Sequence, residues 1–108
     1  YKDDGLIDWS RDARSIHNQV RGMNPVPGAF TKLARGNLKI QRTRIMDETA
    51  KGSPGLIESS SPKDGFVVSC GKGSLKILEI QPPGKKVMDG ASFVRGYRVA
   101  EGIYITEL

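Results

Sequence analysis

The apolar residues of the longest apparent strand change faces partway along it. Within residues 38–46, Leu38 and Ile40 share one parity, whereas Ile45 has the other. Successive side chains of a strand point to opposite sides of a sheet, so this slip indicates a bulge or a sharp bend. Residues 74–80 show the same fault. Two bent strands in a short chain favour a small sheet that curls on itself.

The remaining pattern predicts a helix, about five short strands and a second short helix. Ser10 is the expected N-cap of the first helix, whose apolar positions recur at helical spacing as far as Met23. Pro25 prevents the helix from continuing, and Pro25 and Pro27 should hold an extended segment. The other predicted elements are strands at 29–33, 38–46, 55–59, 66–70 and 74–80, a helix from Asp89 through Tyr97, and a last strand or tail at 103–108.

We therefore predict a mainly β chain with flanking helices, in which a small OB-like β-barrel follows an N-terminal helix and precedes a short C-terminal helix. A small antiparallel sandwich is the alternative. The 108 residues suffice for one domain, 1–108, with one modest core. No run approaches the roughly 18 apolar residues that a membrane span needs. The chain begins at Tyr1 without a secretory leader, which suggests a fragment of a longer protein.

Nothing in the sequence forms a recognisable catalytic, cofactor or metal site. His17 is the single histidine and falls at the edge of the apolar helix face, where a packing role is expected. Cys70 shares the parity of its apolar neighbours and should pack as a small hydrophobe. One cysteine and one histidine are too few for a common zinc site. The Gly-rich run 71–74 lacks the spacing of a phosphate loop and is explained by a hairpin turn.

Basic residues give the strongest functional signal from composition. The formal net charge of +5 and the pI of about 9.6 predict either attraction to a polyanion or a basic surface that serves solubility. Lys85 and Lys86 follow a stiff Pro-Pro-Gly loop, and Arg95 and Arg98 lie around the second predicted helix. Aromatic residues make up only 6% of the chain, too few for a base-stacking platform, so contact with phosphates is the better nucleic-acid hypothesis. An ordinary solvated turn is the alternative for the lysine pair.

Several short blocks, taken in order, resemble the C-terminal domain of the methionyl-tRNA formyltransferases. Each block is weak alone, but together they extend over nearly the whole chain. The blocks are Ile7-Asp8-Trp9, residues 16–22, residues 24–30, Leu38-Lys39-Ile40, residues 71–82, Gly84-Lys85-Lys86-Val87-Met88 and Phe93-Val94-Arg95-Gly96-Tyr97.

This resemblance implies a function for the parent protein. Enzymes of the family transfer a formyl group from 10-formyltetrahydrofolate to methionine on initiator tRNA, using a catalytic N-terminal Rossmann-like domain that no residue here matches. The C-terminal domain, joined by a linker that would end in residues 1–6, helps to hold the tRNA. Lys85 and Lys86 match the family's paired lysines, while Arg95 and Arg98 are added as tRNA contacts from charge and proximity. The resemblance implies a cytoplasmic, monomeric enzyme without membrane attachment and with no cofactor in this domain.

Two relatives provide an alternative function. The hydrolase region of 10-formyltetrahydrofolate dehydrogenase and the aminoarabinose formyltransferase carry a similar domain. In such a protein the domain would brace a folate-dependent catalytic domain and touch no nucleic acid. A single basic stripe that includes Lys85, Lys86 and Arg98 favours RNA binding, whereas scattered and paired charges favour bracing.

Overall fold

A computed structural model describes residues 5–24 and 28–108 of the chain. The predicted extended segment at Pro25 and Pro27, and the first four residues of the predicted linker, lie outside the described residues. The elements are α1 (Ala13–Met23), β1 (Ala29–Leu33), β2 (Gly36–Asp47), β3 (Ile57–Ser61), β4 (Gly65–Ser69), β5 (Ser74–Gln81), β6 (Met88–Asp89), α2 (Gly90–Gly96) and a 3-10 turn (Ile105–Glu107).

The strands form one antiparallel sheet in the order β1-β2-β5-β4-β3, and β6 pairs with the end of β5. The mainly β fold with flanking helices is thus confirmed, but "barrel" describes it only loosely, because the described strands do not close into a ring. Short segments cover the two edges instead. The Ile7 backbone N–H donates to Phe30 O (2.8 Å) along β1, and the Ile57 N–H donates to Ile103 O (2.9 Å) along β3.

Both predicted parity faults are bulges at the same level of the β2–β5 pair. Ile40 pairs with Ile80, whereas Thr43 pairs with Ile77, so that Gln41 and Leu78 lie at the shifts in register. Buried positions on β2 change from even to odd numbers across this point, and those on β5 change from odd to even. The sheet bends here without losing its apolar inner face, which confirms the bend expected from the sequence.

Helix α1 has a different N-cap from the one expected. The Asp12 carboxylate accepts a hydrogen bond from the Ser15 backbone N–H (2.7 Å), so Asp12 is the cap. The prediction of Ser10 was wrong because its hydroxyl donates to the Asp8 carboxylate (2.6 Å) and is not free to cap. The inward face is as predicted, with Ala13 and Ile16 among its buried residues.

The segment before α1 is tied to the β4–β5 turn as well as to β1. The Gly71 backbone N–H donates to Trp9 O (2.9 Å), and the Ala13 N–H donates to Lys72 O (2.8 Å). Trp9 is buried, as expected of a residue that packs at the entry to the helix. We call residues 5–13 the N-terminal strap.

The C-terminal segment was expected to be a strand or a tail, and the structure has the tail. Residues 103–108 make one isolated bridge, Leu56 with Tyr104, and end in the 3-10 turn. The strand expected at 55–59 begins two residues later because Gly55, with a φ of +85°, belongs to the preceding turn. The second helix is capped by Asp89 as predicted, through the Ser92 backbone N–H (2.7 Å).

One hydrophobic core lies between the inner face of the bent sheet, the strap and both helices. Phe66 of β4 and Phe93 of α2 are its largest fully buried side chains, and their ring centroids are 5.7 Å apart. No helix in the described part of the chain has the length and hydropathy to cross a membrane.

Candidate functional site

The chain's histidine and cysteine occupy packing positions. His17 Nδ1 lies 2.7 Å from Thr43 Oγ1, and burial together with the charges of Arg21 and Arg14 lowers the pKa of His17, which favours the neutral ring. Cys70 is fully buried, and burial raises the pKa of its thiol to about 12. Neither group is prepared for nucleophilic or acid–base chemistry near neutral pH. Within residues 5–24 and 28–108, no three potential ligand side chains are grouped around a metal position.

Lys85 and Lys86 project from a closed loop between β5 and β6. The Lys85 backbone N–H donates to Pro82 O (3.1 Å), and Gln81 Nε2 donates to Lys85 O (3.0 Å). These bonds fix the backbone of the loop and leave both lysine side chains exposed. The stiff lysine-bearing loop expected from the sequence is therefore present.

This loop packs against the turn between β1 and β2. A Cβ added to Gly36, whose φ is +133°, would come within 3.1 Å of the Pro83 ring. Only glycine accommodates both the backbone conformation and the close contact. Arg35 precedes Gly36, so the turn carries a third cation to the same end of the sheet. Lys39 adds a fourth, because it pairs across β2–β5 with Gln81 and lines a small cleft beside Pro83.

An aromatic stack connects the same turn to α2. The Arg35 guanidinium carbon lies 5.7 Å from the centre of the Tyr97 ring, and that ring stacks on Phe93 at 4.5 Å. Arg98, the next residue after Tyr97, lines a cleft of about 380 Å³ together with Arg35. We call this set of five cations the basic end of the molecule: Arg35, Lys39, Lys85, Lys86 and Arg98.

The described cations of the basic end form no ion pair, unlike Arg14 and Arg42. Arg14 binds Glu48 at 2.9 Å, and Arg42 lies 3.6 Å from Glu79. Over the described ranges 5–24 and 28–108, no carboxylate oxygen is within 4 Å of a charged nitrogen of the basic end. An anion approaching this end would therefore find no internal carboxylate already bound to these cations.

Three of the four predicted contact residues, Lys85, Lys86 and Arg98, belong to the basic end. The fourth, Arg95, is engaged elsewhere: its Nη1 donates to Pro62 O (2.7 Å) and its Nη2 to Ser92 Oγ (3.0 Å). Arg95 therefore fastens α2 to the turn between β3 and β4.

Sequence reasoning passed over Arg35 and did not select Lys39. Arg35 stands in a turn that looked like a variable connection, and its tyrosine partner is 62 positions away in the sequence. Lys39 joins the site through its strand register with Gln81, a partner on a strand distant in sequence. The only local signal was the glycine after Arg35, which marks a tight turn.

Comparisons with known proteins agree with this fold. The family model described as "Formyl transferase, C-terminal domain" matches residues 1–98. Methionyl-tRNA formyltransferase of Citrifermentans bemidjiense is 48% identical over 101 residues, which cover 94% of this chain and 31% of that protein. The enzyme of Pelobacter propionicus is 50% identical over 101 residues, which cover 94% of this chain and 31% of that protein. The enzyme of Geobacter sulfurreducens is 42% identical over 106 residues, which cover 98% of this chain and 32% of that protein. The chain thus spans about a third of the length of these relatives.

A solved structure of HypX from Aquifex aeolicus, in complex with tetrahydrofolic acid, has the same fold with a TM-score of 0.68. It is 19% identical and is matched over 89% of this chain and 18% of the HypX chain. That likeness concerns the fold alone. The family match extends over most of the sequence, and the resemblance of its short blocks is confirmed. The chain belongs to the formyl transferase C-terminal domain family.

Proposed function

We propose that this chain is the tRNA-binding C-terminal domain, residues 1–108, of a methionyl-tRNA formyltransferase. The observation that carries the tRNA part of the proposal is the basic end, where four cations from three loops and Lys39 of β2 lie without a bound carboxylate. Lys85 and Lys86 are exposed on a loop that its own hydrogen bonds close. Phosphates of a folded RNA are the polyanion that fits such a surface, because A-form RNA is recognised largely by shape and backbone.

The activity belongs to the longer protein. We propose that the part of the enzyme outside this chain holds the Rossmann-like catalytic domain, which takes the formyl group from 10-formyltetrahydrofolate to methionine on initiator tRNA. The described residues 5 and 6 lie along β1, so a linker ending in residues 1–6 would deliver that domain to this edge of the sheet. We propose a monomeric enzyme that works in the cytoplasm.

The predicted contact residues differ in whether their side chains already form hydrogen bonds within the protein. Lys85, Lys86 and Arg98 are proposed as direct phosphate contacts. Arg95 is proposed to contribute charge to the same field rather than direct hydrogen bonds, because Pro62 and Ser92 occupy its outer nitrogens. The alternative function is a domain that braces a folate-dependent enzyme. The internal hydrogen bonds of Arg95 and the ion pairs of Arg14 and Arg42 are the observations that favour it.

Salt-dependent binding of initiator tRNA distinguishes the two functions. Each phosphate neutralised by a protein cation contributes about 0.7–0.9 to the slope of log affinity against log salt. The variant with both Lys85→Ala and Lys86→Ala should therefore reduce that slope by about 1.4–1.8. The matched control replaces Lys51 and Lys72, which are exposed near the other end of the β2–β5 pair, and should leave the slope unchanged.

Two results would contradict the proposal. Equal slopes for the two double variants would mean that Lys85 and Lys86 make no specific phosphate contacts. Absence of salt-sensitive tRNA binding by the unaltered protein would favour the bracing function.

A further inference from the structure

We propose that Arg35 and Arg98 act together as a clamp for a single phosphate of the RNA backbone, held in the cleft between the β1–β2 turn and the end of α2. This inference rests on the proposed function and deepens it. Arg35 and Arg98 both line the cleft, with Tyr97 between the turn and the helix end. Its volume of about 380 Å³ is sufficient for a phosphate and its sugar.

Arg35 has an aromatic partner before any ligand binds. Its guanidinium lies over the Tyr97 ring, which stacks on Phe93, and Phe93 is only 1% exposed. The stack therefore connects the guanidinium to the hydrophobic core. A cation–π contact uses no N–H group of the guanidinium, so these groups remain available for bidentate binding of a phosphate.

Arg98 stands in a backbone conformation that its own side chain disfavours. Among the described residues it is the one non-glycine with a positive φ, +38°, and it immediately follows Tyr97, the C-cap of α2. Helices commonly end with glycine at this position, because glycine alone enters the left-handed region without steric cost. Strained residues of this kind concentrate at functional sites. An exposed arginine at this position indicates that its guanidinium has a function that outweighs the cost of the strained backbone.

One acidic side chain lines the cleft. Glu107 lines it, but its Oε1 accepts a hydrogen bond from the Tyr104 backbone N–H (2.7 Å) and forms no ion pair with Arg35 or Arg98 within 4 Å. The side chains that line the cleft therefore carry a net positive charge. The Glu107 carboxylate should repel an incoming phosphate. Replacing it with a neutral side chain should therefore improve phosphate binding.

The first test measures binding of initiator tRNA to Arg35→Ala, to Arg98→Gly and to the protein carrying both changes. If the two arginines share one phosphate, each single substitution should lower the affinity about tenfold. The double variant should lose little more affinity than either single variant, because the shared contact is already broken. The salt slope should fall by about 0.7–0.9 in all three, because one phosphate contact is lost. Glu107→Gln should increase the affinity. Lys51→Ala, a single charge removed from the far end of β2–β5, is the control.

The second test separates failure of the clamp from failure of the proposed function. Inorganic phosphate is titrated into the protein while the side-chain Nε–H signals of the arginines are followed by NMR. The signals of Arg35 and Arg98 should shift together, and that of Arg42, which is paired with Glu79, should not. If tRNA binds but both variants retain full affinity, the clamp is refuted and the proposed function stands. If phosphate shifts both signals but tRNA does not bind, the RNA assignment is refuted.

The stability of Arg98→Gly guards against a purely structural explanation. A variant that loses affinity and also melts at a lower temperature would show that Arg98 supports the fold, and would overturn the clamp. A salt slope that falls twice as far in the double variant as in the singles would also overturn it, because two separate phosphates would then be bound.

Discussion

Replacing Arg98 with glycine should make the protein more stable while it binds RNA less well. Arg98 has a φ of +38° and follows the C-cap of α2, and its side chain is exposed. Most single substitutions destabilise a protein, so a gain from removing the largest part of a side chain is a demanding prediction.

The magnitude follows from two opposing contributions. A left-handed conformation costs an L-residue roughly 1–2 kcal/mol, which glycine avoids. Glycine also has a more flexible unfolded state, which takes back about 0.4–1 kcal/mol. The free energy of unfolding should therefore rise by about 1 kcal/mol, with little offset from lost packing because the side chain is exposed. For a domain near this size, 1 kcal/mol corresponds to about 4–8 °C in melting temperature.

Thermal unfolding followed by circular dichroism or calorimetry measures the effect directly. Arg98→Ala is the matched control, because it removes the guanidinium but keeps the Cβ that makes the left-handed conformation costly. The alanine variant should melt close to the unaltered protein, and the glycine variant above both. A melting temperature for Arg98→Gly at or below that of Arg98→Ala would refute the reasoning about backbone strain.

Three further predictions concern the rest of the chain. In urea unfolding, Gly22→Ala should stabilise the protein by about 0.5–1 kcal/mol, because a Cβ at this helix position meets no atom within 4 Å. Gly71→Ala should destabilise the protein, because the new Cβ would collide with a backbone carbonyl of the strap. The Ser92 backbone hydrogen bond lowers the pKa of Asp89 below 3.8. The cap therefore stabilises the fold above pH 3.8, and this stabilisation is lost as the pH falls through the lowered pKa. The difference in melting temperature between the unaltered protein and Asp89→Ala should shrink at about pH 2. Cys70, with a pKa of about 12, should react with a thiol reagent at pH 8 only after unfolding, and fast labelling of the native protein would contradict its burial.

Local pattern was sufficient for the elements whose signals are contained within a few residues. The buried face of α1 follows from helical spacing, and the Asp89 cap follows from a carboxylate placed before a short apolar helix. The bulges at Gln41 and Leu78 were visible because the inner face must remain apolar on both sides of each bend.

The missed features depend on competition or on distant partners. Ser10 is a good capping residue in isolation, but Asp8 binds it and Asp12 takes the cap. Arg35 enters the candidate site only because the turn that carries it folds over Tyr97. Such a pairing leaves no periodic signal, so the lysine loop was predictable and the arginine cleft was not.

The N-terminal strap has a mechanical consequence. Gly5 and Ile7 form hydrogen bonds with Phe30 along β1, while Trp9 accepts one from Gly71 in the β4–β5 turn. The strap is thus attached to the sheet on both sides of β2. A pull applied at residue 5 would load these hydrogen bonds in shear, several at once, instead of peeling α1 away turn by turn. A force transmitted through residue 5 would therefore reach the sheet through these hydrogen bonds before it reached α1.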